Sequence, residues 1–157
     1  MSLTLDKIDY LILQKLLDDG RASFSAIARE TNLTDVAIKK RVERLKRKGI
    51  IQNVAANLNY KILGYENPIF VQLRTEMSKS REIMRKMQEL DYVLELQQVL
   101  GEYNLLAKVV VPSLETAEGF ISRLSNLDGV IDMKTMVVLQ EMKKTSALPS
   151  QVLQKKL

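Results

Sequence analysis

The chain contains neither cysteine nor histidine in 157 residues, and it is sparing with proline (three), glycine (six) and aromatics (5%). The two zeros remove disulfides, thiol nucleophiles, the commonest zinc and transition-metal ligands and the usual general base. Few enzyme mechanisms survive that subtraction, and none with a P-loop, GxGxxG or GxSxG motif applies, because those motifs are missing too. Asp18-Asp19 is the nearest thing to a carboxylate pair, but sequence neighbours point apart and a helix end accounts for them better. There is no run of about 18 apolar residues to span a bilayer. Met1 to Asp9 carries two carboxylates and no apolar core segment, so it does not read as a signal peptide. The expectation is a cytoplasmic non-enzyme with no cofactor, no metal and no membrane partner.

What is present is a folded composition, 46% hydrophobic and 27% charged, long enough for one domain or two small ones. The net charge of +5 is unevenly placed. Residues 1–64 hold 12 Lys/Arg against 7 Asp/Glu, whereas residues 65–157 hold 12 of each. Within the first part, Lys39 to Lys48 packs seven cations (Lys39, Lys40, Arg41, Arg44, Lys46, Arg47, Lys48) around one acid, Glu43. So dense a run repels itself, and a polyanionic partner is one way to screen it.

The pattern around that run is helical. Asp6 is a good N-cap, and Ile8, Leu11, Ile12 and Leu16 recur at helical spacing until Asp18-Asp19-Gly20. Ser23 or Ser25 caps a second helix holding Ile27 and Ala28, which stops near Asn32-Leu33. Thr34 caps a third, with Ile38, Val42 and Leu45 as its apolar stripe and Gly49 as its stop. The tight break between the second and third helices is that of a helix-turn-helix. At 100° per residue, the third helix turns Val36, Lys40, Glu43 and Arg47 away from its apolar stripe, with Lys39 and Arg44 on the flanks. The N-terminal part of a recognition helix meets base edges, which nominates Thr34, Asp35, Val36, Lys39 and Lys40 as base-reading residues. Arg44, Lys46, Arg47 and Lys48 lie further along and suit phosphates. Glu43 is expected to pair with Lys39 or Arg47 across one turn, or to reject some bases. Ile50-Ile51 and Val54-Ala55-Ala56 flank Gln52-Asn53 as a short two-stranded wing, with Asn53 suited to a positive φ.

Residues 1–57 thus read as a winged helix-turn-helix domain, and 58–68, punctuated by Gly64 and Pro68, as a linker. From 69 to 142 the pattern is strand, helix, strand, strand, helix, strand. Ile69 to Leu73 is the first strand. A helix capped by Ser78 or Ser80 carries Ile83, Met87 and Leu90. Tyr92 to Leu100 and Leu105 to Val111 form a hairpin through Gly101 to Asn104. A helix with Ala117, Phe120, Ile121, Leu124 and Leu127 leads to a last strand, Val130 to Leu139. This is a ferredoxin-like βαββαβ domain, and the whole chain is α+β. Both faces of the sheet receive apolar residues, so a partner subunit is the economical cover for the face without helices. Met84, Met87, Met133 and Met136 read as core packing. An RNA-recognition reading fails because the stacking aromatics of that βαββαβ fold are missing. Residues 143–157 form a basic tail with four lysines and no acid.

The residues quoted so far resemble the Lrp/AsnC (leucine-responsive, or feast/famine) family of transcriptional regulators. The matching stretches are Leu5-Asp6-Lys7-Ile8-Asp9, Gly20-Arg21-Ala22-Ser23, Leu33-Thr34, Arg41-Val42 and Gly49-Ile50-Ile51. In the second domain they are Gly101-Glu102-Tyr103-Asn104-Leu105-Leu106, Val111-Pro112 and Gly129-Val130. The resemblance runs from about Leu5 to Met142. It implies a regulator of double-stranded DNA that dimerises through the second domain, often assembling to tetramers or octamers, and is modulated by an amino acid or similar small molecule. It also places an effector pocket beside Leu100, Gly101, Glu102, Tyr103 and Asn104, with Met133 and Thr135 as further candidates. Three positions depart from the family: Asn104 stands where Asp is common, Leu100 where Ser or Thr is frequent, and Met133 where Thr is. An aspartate can pair an α-ammonium, whereas an amide only hydrogen-bonds it. The leading function is therefore a sequence-specific DNA-binding regulator on palindromic sites; the alternative is an effector-independent architectural DNA-binding protein.

Overall fold

The computed structural model describes residues 4–144, in two compact units divided after Asn57. The expected tail beyond Lys144 lies outside the described residues.

The first unit is three helices, α1 (Lys7–Asp18), α2 (Phe24–Thr31) and α3 (Asp35–Arg47). Each start is fixed by a side chain that takes up orphan amide donors. Asp6 accepts from the Asp9 N–H at 2.9 Å while Asp9 accepts from the Asp6 N–H at 3.2 Å, a reciprocal capping box. Ser23, not Ser25, caps α2, and Thr34 caps α3 through the Ala37 N–H at 3.2 Å. Asn32 turns the chain out of α2 at φ 54°, and Gly49 ends α3 at φ 71°. Ile12, Ile27, Ala28, Ile38, Val42, Leu45 and Ile51 form the buried core that the helical stripes pointed to.

The wing is where the expectation fails. Residues 50–56 contain no strand, and Asn53 is not in a positive-φ turn; Asn32 is the one such non-glycine among the described residues. Ile51 is buried in the core and Ile50 packs against it, while Val54 lies 53% exposed along Gly20. A two-stranded ribbon this short has too little to bury to hold itself together.

The second unit is β1 (Ile69–Thr75), α4 (Ser80–Gln88), β2 (Val93–Gln98), β3 (Leu105–Val109), α5 (Leu114–Ser125) and β4 (Val130–Val137). The strands form one antiparallel sheet in the order β2-β3-β1-β4. Ile69, Val71 and Leu73 of β1 and Leu105, Ala107 and Val109 of β3 point to one face. They pack there with Ile83 and Met87 of α4 and Ala117, Phe120 and Leu124 of α5. Tyr92 closes the edge with its ring 5.8 Å from that of Phe120, edge to face.

The register sends Phe70, Leu106 and Met136 to the opposite face, which no helix among the described residues covers. Met136 is 47% exposed there, so it is not a core methionine of the isolated chain, unlike buried Met87. Neither Ser78 nor Ser80 caps α4: the N-cap is Lys79, whose side chain makes no capping hydrogen bond. Ser80 is drawn inward by Thr75 instead. Segment 58–68 holds a turn capped by Asn59 on the Ile62 N–H, and the Glu66 N–H donates to the Val111 carbonyl.

Candidate nucleic-acid interface

The outward side of α3 is an open hollow of about 870 Å³ lined by Val36, Lys39, Lys40, Arg41, Glu43, Arg44 and Arg47. It exists because Ile38, Val42 and Leu45 are fully turned into the core, which commits every third or fourth residue and leaves the charged ones outside. Lys39, Lys40, Arg47 and Lys48 are exposed, and their side chains make no ion pair or hydrogen bond among the described residues.

The other charged residues on α3 are engaged. Arg44 Nη2 lies 2.5 Å from Asp9 Oδ2, and Arg41 Nη1 bridges Asp9 Oδ1 at 2.9 Å and Asp6 Oδ2 at 2.6 Å. The Asp9 side chain is 1% exposed. Both of its oxygens are satisfied, as a buried carboxylate requires. Burial works against ionisation of Asp6, but the Asp9 amide and the Arg41 guanidinium outweigh it and hold its carboxyl below the usual range. Arg41 is raised in turn, chiefly by its hydrogen bond to Asp6. Arg44, nominated for phosphates on spacing alone, is thus tied to α1. Sequence reasoning passed over Asp9 as a buried anchor; two arginines at i and i+3 on α3 were the available signal.

Two first-turn candidates are also occupied. Thr34 spends its hydroxyl oxygen on the α3 cap, and Asp35 accepts a hydrogen bond from Ser25 Oγ of α2. Glu43 pairs with Lys46 at 3.5 Å, rather than with Lys39 or Arg47. The Asp18-Asp19 pair behaves as a helix end, Asp19 accepting from the Arg21 N–H at 2.8 Å.

The small-molecule candidates in the second unit separate into distinct environments. Leu100 is fully exposed. Asn104 turns inward: its Oδ1 accepts from the Thr75 N–H at 2.9 Å, and its Nδ2 donates to Thr75 Oγ1 at 3.0 Å and Ser80 Oγ at 3.1 Å. Tyr103 donates its hydroxyl to Asp132 at 2.5 Å, and Lys134 Nζ sits 4.4 Å from its ring. That hydrogen bond, with the Met133 amide, holds the Asp132 carboxyl below its ordinary range. Glu102 reaches Arg74 at 4.0 Å. Met133 packs against the helix-side core, and Thr135 is exposed on the same side of β4. Gly101 sits in the exposed loop between β2 and β3.

Two family descriptions match this chain: an AsnC-type helix-turn-helix domain over residues 5–46 and an Lrp/AsnC ligand-binding domain over residues 69–148. The chain belongs to the Lrp/AsnC family. Among curated relatives, the HTH-type transcriptional regulator Ptr1 of Methanocaldococcus jannaschii is 35% identical over 92% of this chain and 99% of its own. The HTH-type transcriptional regulator FL11 of Pyrococcus abyssi is 28% identical over 95% and 99%. E. coli AsnC superposes with a TM-score of 0.85 at 25% identity, over 94% of this chain and 100% of that one. A Neisseria meningitidis transcriptional regulator, solved with L-Met, gives 0.85 at 27% identity over 96% and 99%. This Lrp/AsnC protein is therefore a transcriptional regulator with a helix-turn-helix domain and a ligand-binding-type domain, in a family that is not enzymatic. No helix among its described residues is long and apolar enough to cross a membrane.

Proposed function

We propose that this regulator reads palindromic duplex DNA as a dimer or higher oligomer in the cytoplasm, with α3 in the major groove. The observation that carries the reading is a set of four exposed cations whose side chains have no partner among the described residues, Lys39, Lys40 and Arg47 on α3 and Lys48 at its C-cap. Arg41 and Arg44, by contrast, are held by the buried Asp9. Lys39 and Lys40, near the N-terminal half, face bases; Lys46, Arg47 and Lys48 face phosphates. Residues 1–57 carry this activity, 58–68 connect, and 69–142 associate and sense. Lys143 and Lys144 begin a basic tail.

Dimerisation is supported by the sheet face that no helix among the described residues covers, where Phe70, Leu106 and Met136 are left for a second copy. Effector control rests on the ligand-binding-type domain and on the relative solved with L-Met. In this chain, Asn104 is committed to Thr75 and Ser80, so an amino acid's ammonium must find its partner elsewhere. The test is selection of bound genomic fragments with and without added amino acids. Enrichment of a palindromic motif whose occupancy responds to one amino acid supports the full reading. Uniform recovery of fragments would favour the architectural alternative.

A further inference from the structure

The first turn of α3 presents a residue that a charged DNA-facing helix has no structural reason to carry. Val36 is 62% exposed, although the stripe that builds the core is Ile38, Val42 and Leu45. Its neighbours on the outward side are Lys39, Lys40, Glu43 and Arg47. The two polar residues before it are already used, Thr34 on the helix cap and Asp35 on Ser25. Val36 is the exposed apolar side chain of the first turn, and the surface it offers is two methyl groups.

We propose that Val36 reads the 5-methyl group of a thymine in the major groove, making it a specificity-determining residue. Thymine's methyl is the one apolar feature on the major-groove edges of the bases, and an apolar side chain recognises it by excluding water from both. The N-terminal turn of a recognition helix is the part that reaches base edges. The flanking Lys39 and Lys40 hold the backbone close enough for so short a side chain to touch. This assignment rests on the proposal that α3 enters the major groove, and it adds the base that the first turn selects.

The test uses the full-length protein and a duplex site obtained by selection from random sequence. Each thymine of that site is replaced in turn by uracil, which deletes only the methyl. Burial of one methyl-sized group corresponds to roughly a three- to five-fold change in affinity. One thymine per half-site should show that loss with the unaltered protein. Val36→Ser should bind the thymine site more weakly and no longer distinguish thymine from uracil at that position. Because Val36 is exposed, the variant should melt as the parent does. Equal affinity for thymine and uracil at every position, in a protein that still prefers its selected site over random DNA, overturns the assignment and leaves the DNA reading standing. So does Val36→Ser retaining the discrimination, which would give the methyl contact to another side chain. Failure to prefer any site over random duplex overturns both.

Discussion

Asp9 on α1 and Arg41 on α3 are joined at 2.9 Å across 32 residues of sequence, and the carboxylate is 1% exposed. With Arg44 on its other oxygen, Asp9 converts two of the seven cations of the basic run into fasteners between helices. Asp9→Asn should therefore destabilise the first unit by about 2–3 kcal/mol. This is below the usual cost of breaking a buried pair, because both arginines are partly solvated. Arg41→Ala should cost at least as much, since it strands part of a buried charge. Urea unfolding of each variant measures this, and losses under 0.5 kcal/mol would make the pair ornamental.

The same division separates Arg44 from Arg47. Arg47→Ala should leave the melting temperature unchanged and reduce the salt slope of DNA binding by about 1. Arg44→Ala should lower the melting temperature before it changes the slope. Lys40→Ala should weaken the preferred site more than random DNA. Titrations of all three at several salt concentrations decide the matter, and identical behaviour would refute the assignment of roles.

Much of this arrangement was legible in the sequence, and what was not has a common cause. The caps at Asp6 and Thr34, the stop at Gly49 and the three apolar stripes follow from chemistry within a few residues, so they read directly. The βαββαβ order followed from alternating strand and helix patterns. The commitments of Arg44 to Asp9, Asp35 to Ser25 and Ser80 to Thr75 cross between elements, where periodicity says which face a residue takes but not whom it meets. The wing failed for the opposite reason: its local β pattern was real, but Ile50 and Ile51 pack on the helices while Val54 stays exposed, so no second strand is held.

Asn104 ties the loop between β2 and β3 to Thr75 at the end of β1 and to Ser80 at the start of α4. Asn104→Leu should cost about 2 kcal/mol by leaving the Thr75 amide without its acceptor, while the Thr75 and Ser80 hydroxyls keep each other. Asn104→Asp should cost less, because a carboxylate oxygen still accepts from the Thr75 amide and from the Thr75 hydroxyl. Thermal unfolding of the two variants checks the order, and an equal loss would contradict the hydrogen-bond account.

Acid should weaken the first unit through Asp6. Its folded pKa lies below the ordinary 3.8, so its contribution is complete above that value and is lost as pH falls through the folded one. The urea midpoint should then be flat near neutrality and fall below about pH 4. Asp6→Asn should flatten part of that fall, and an unchanged profile would remove Asp6 from the account.

The central claim is that α3 reads sequence as well as attracting phosphate. Its most direct test is equilibrium competition of the full-length protein between its selected palindrome and random duplex, at fixed salt. The account predicts a preference of at least about 10³-fold that falls sharply in Lys40→Ala and only slightly in Arg47→Ala. Equal affinity for palindrome and random duplex would contradict it.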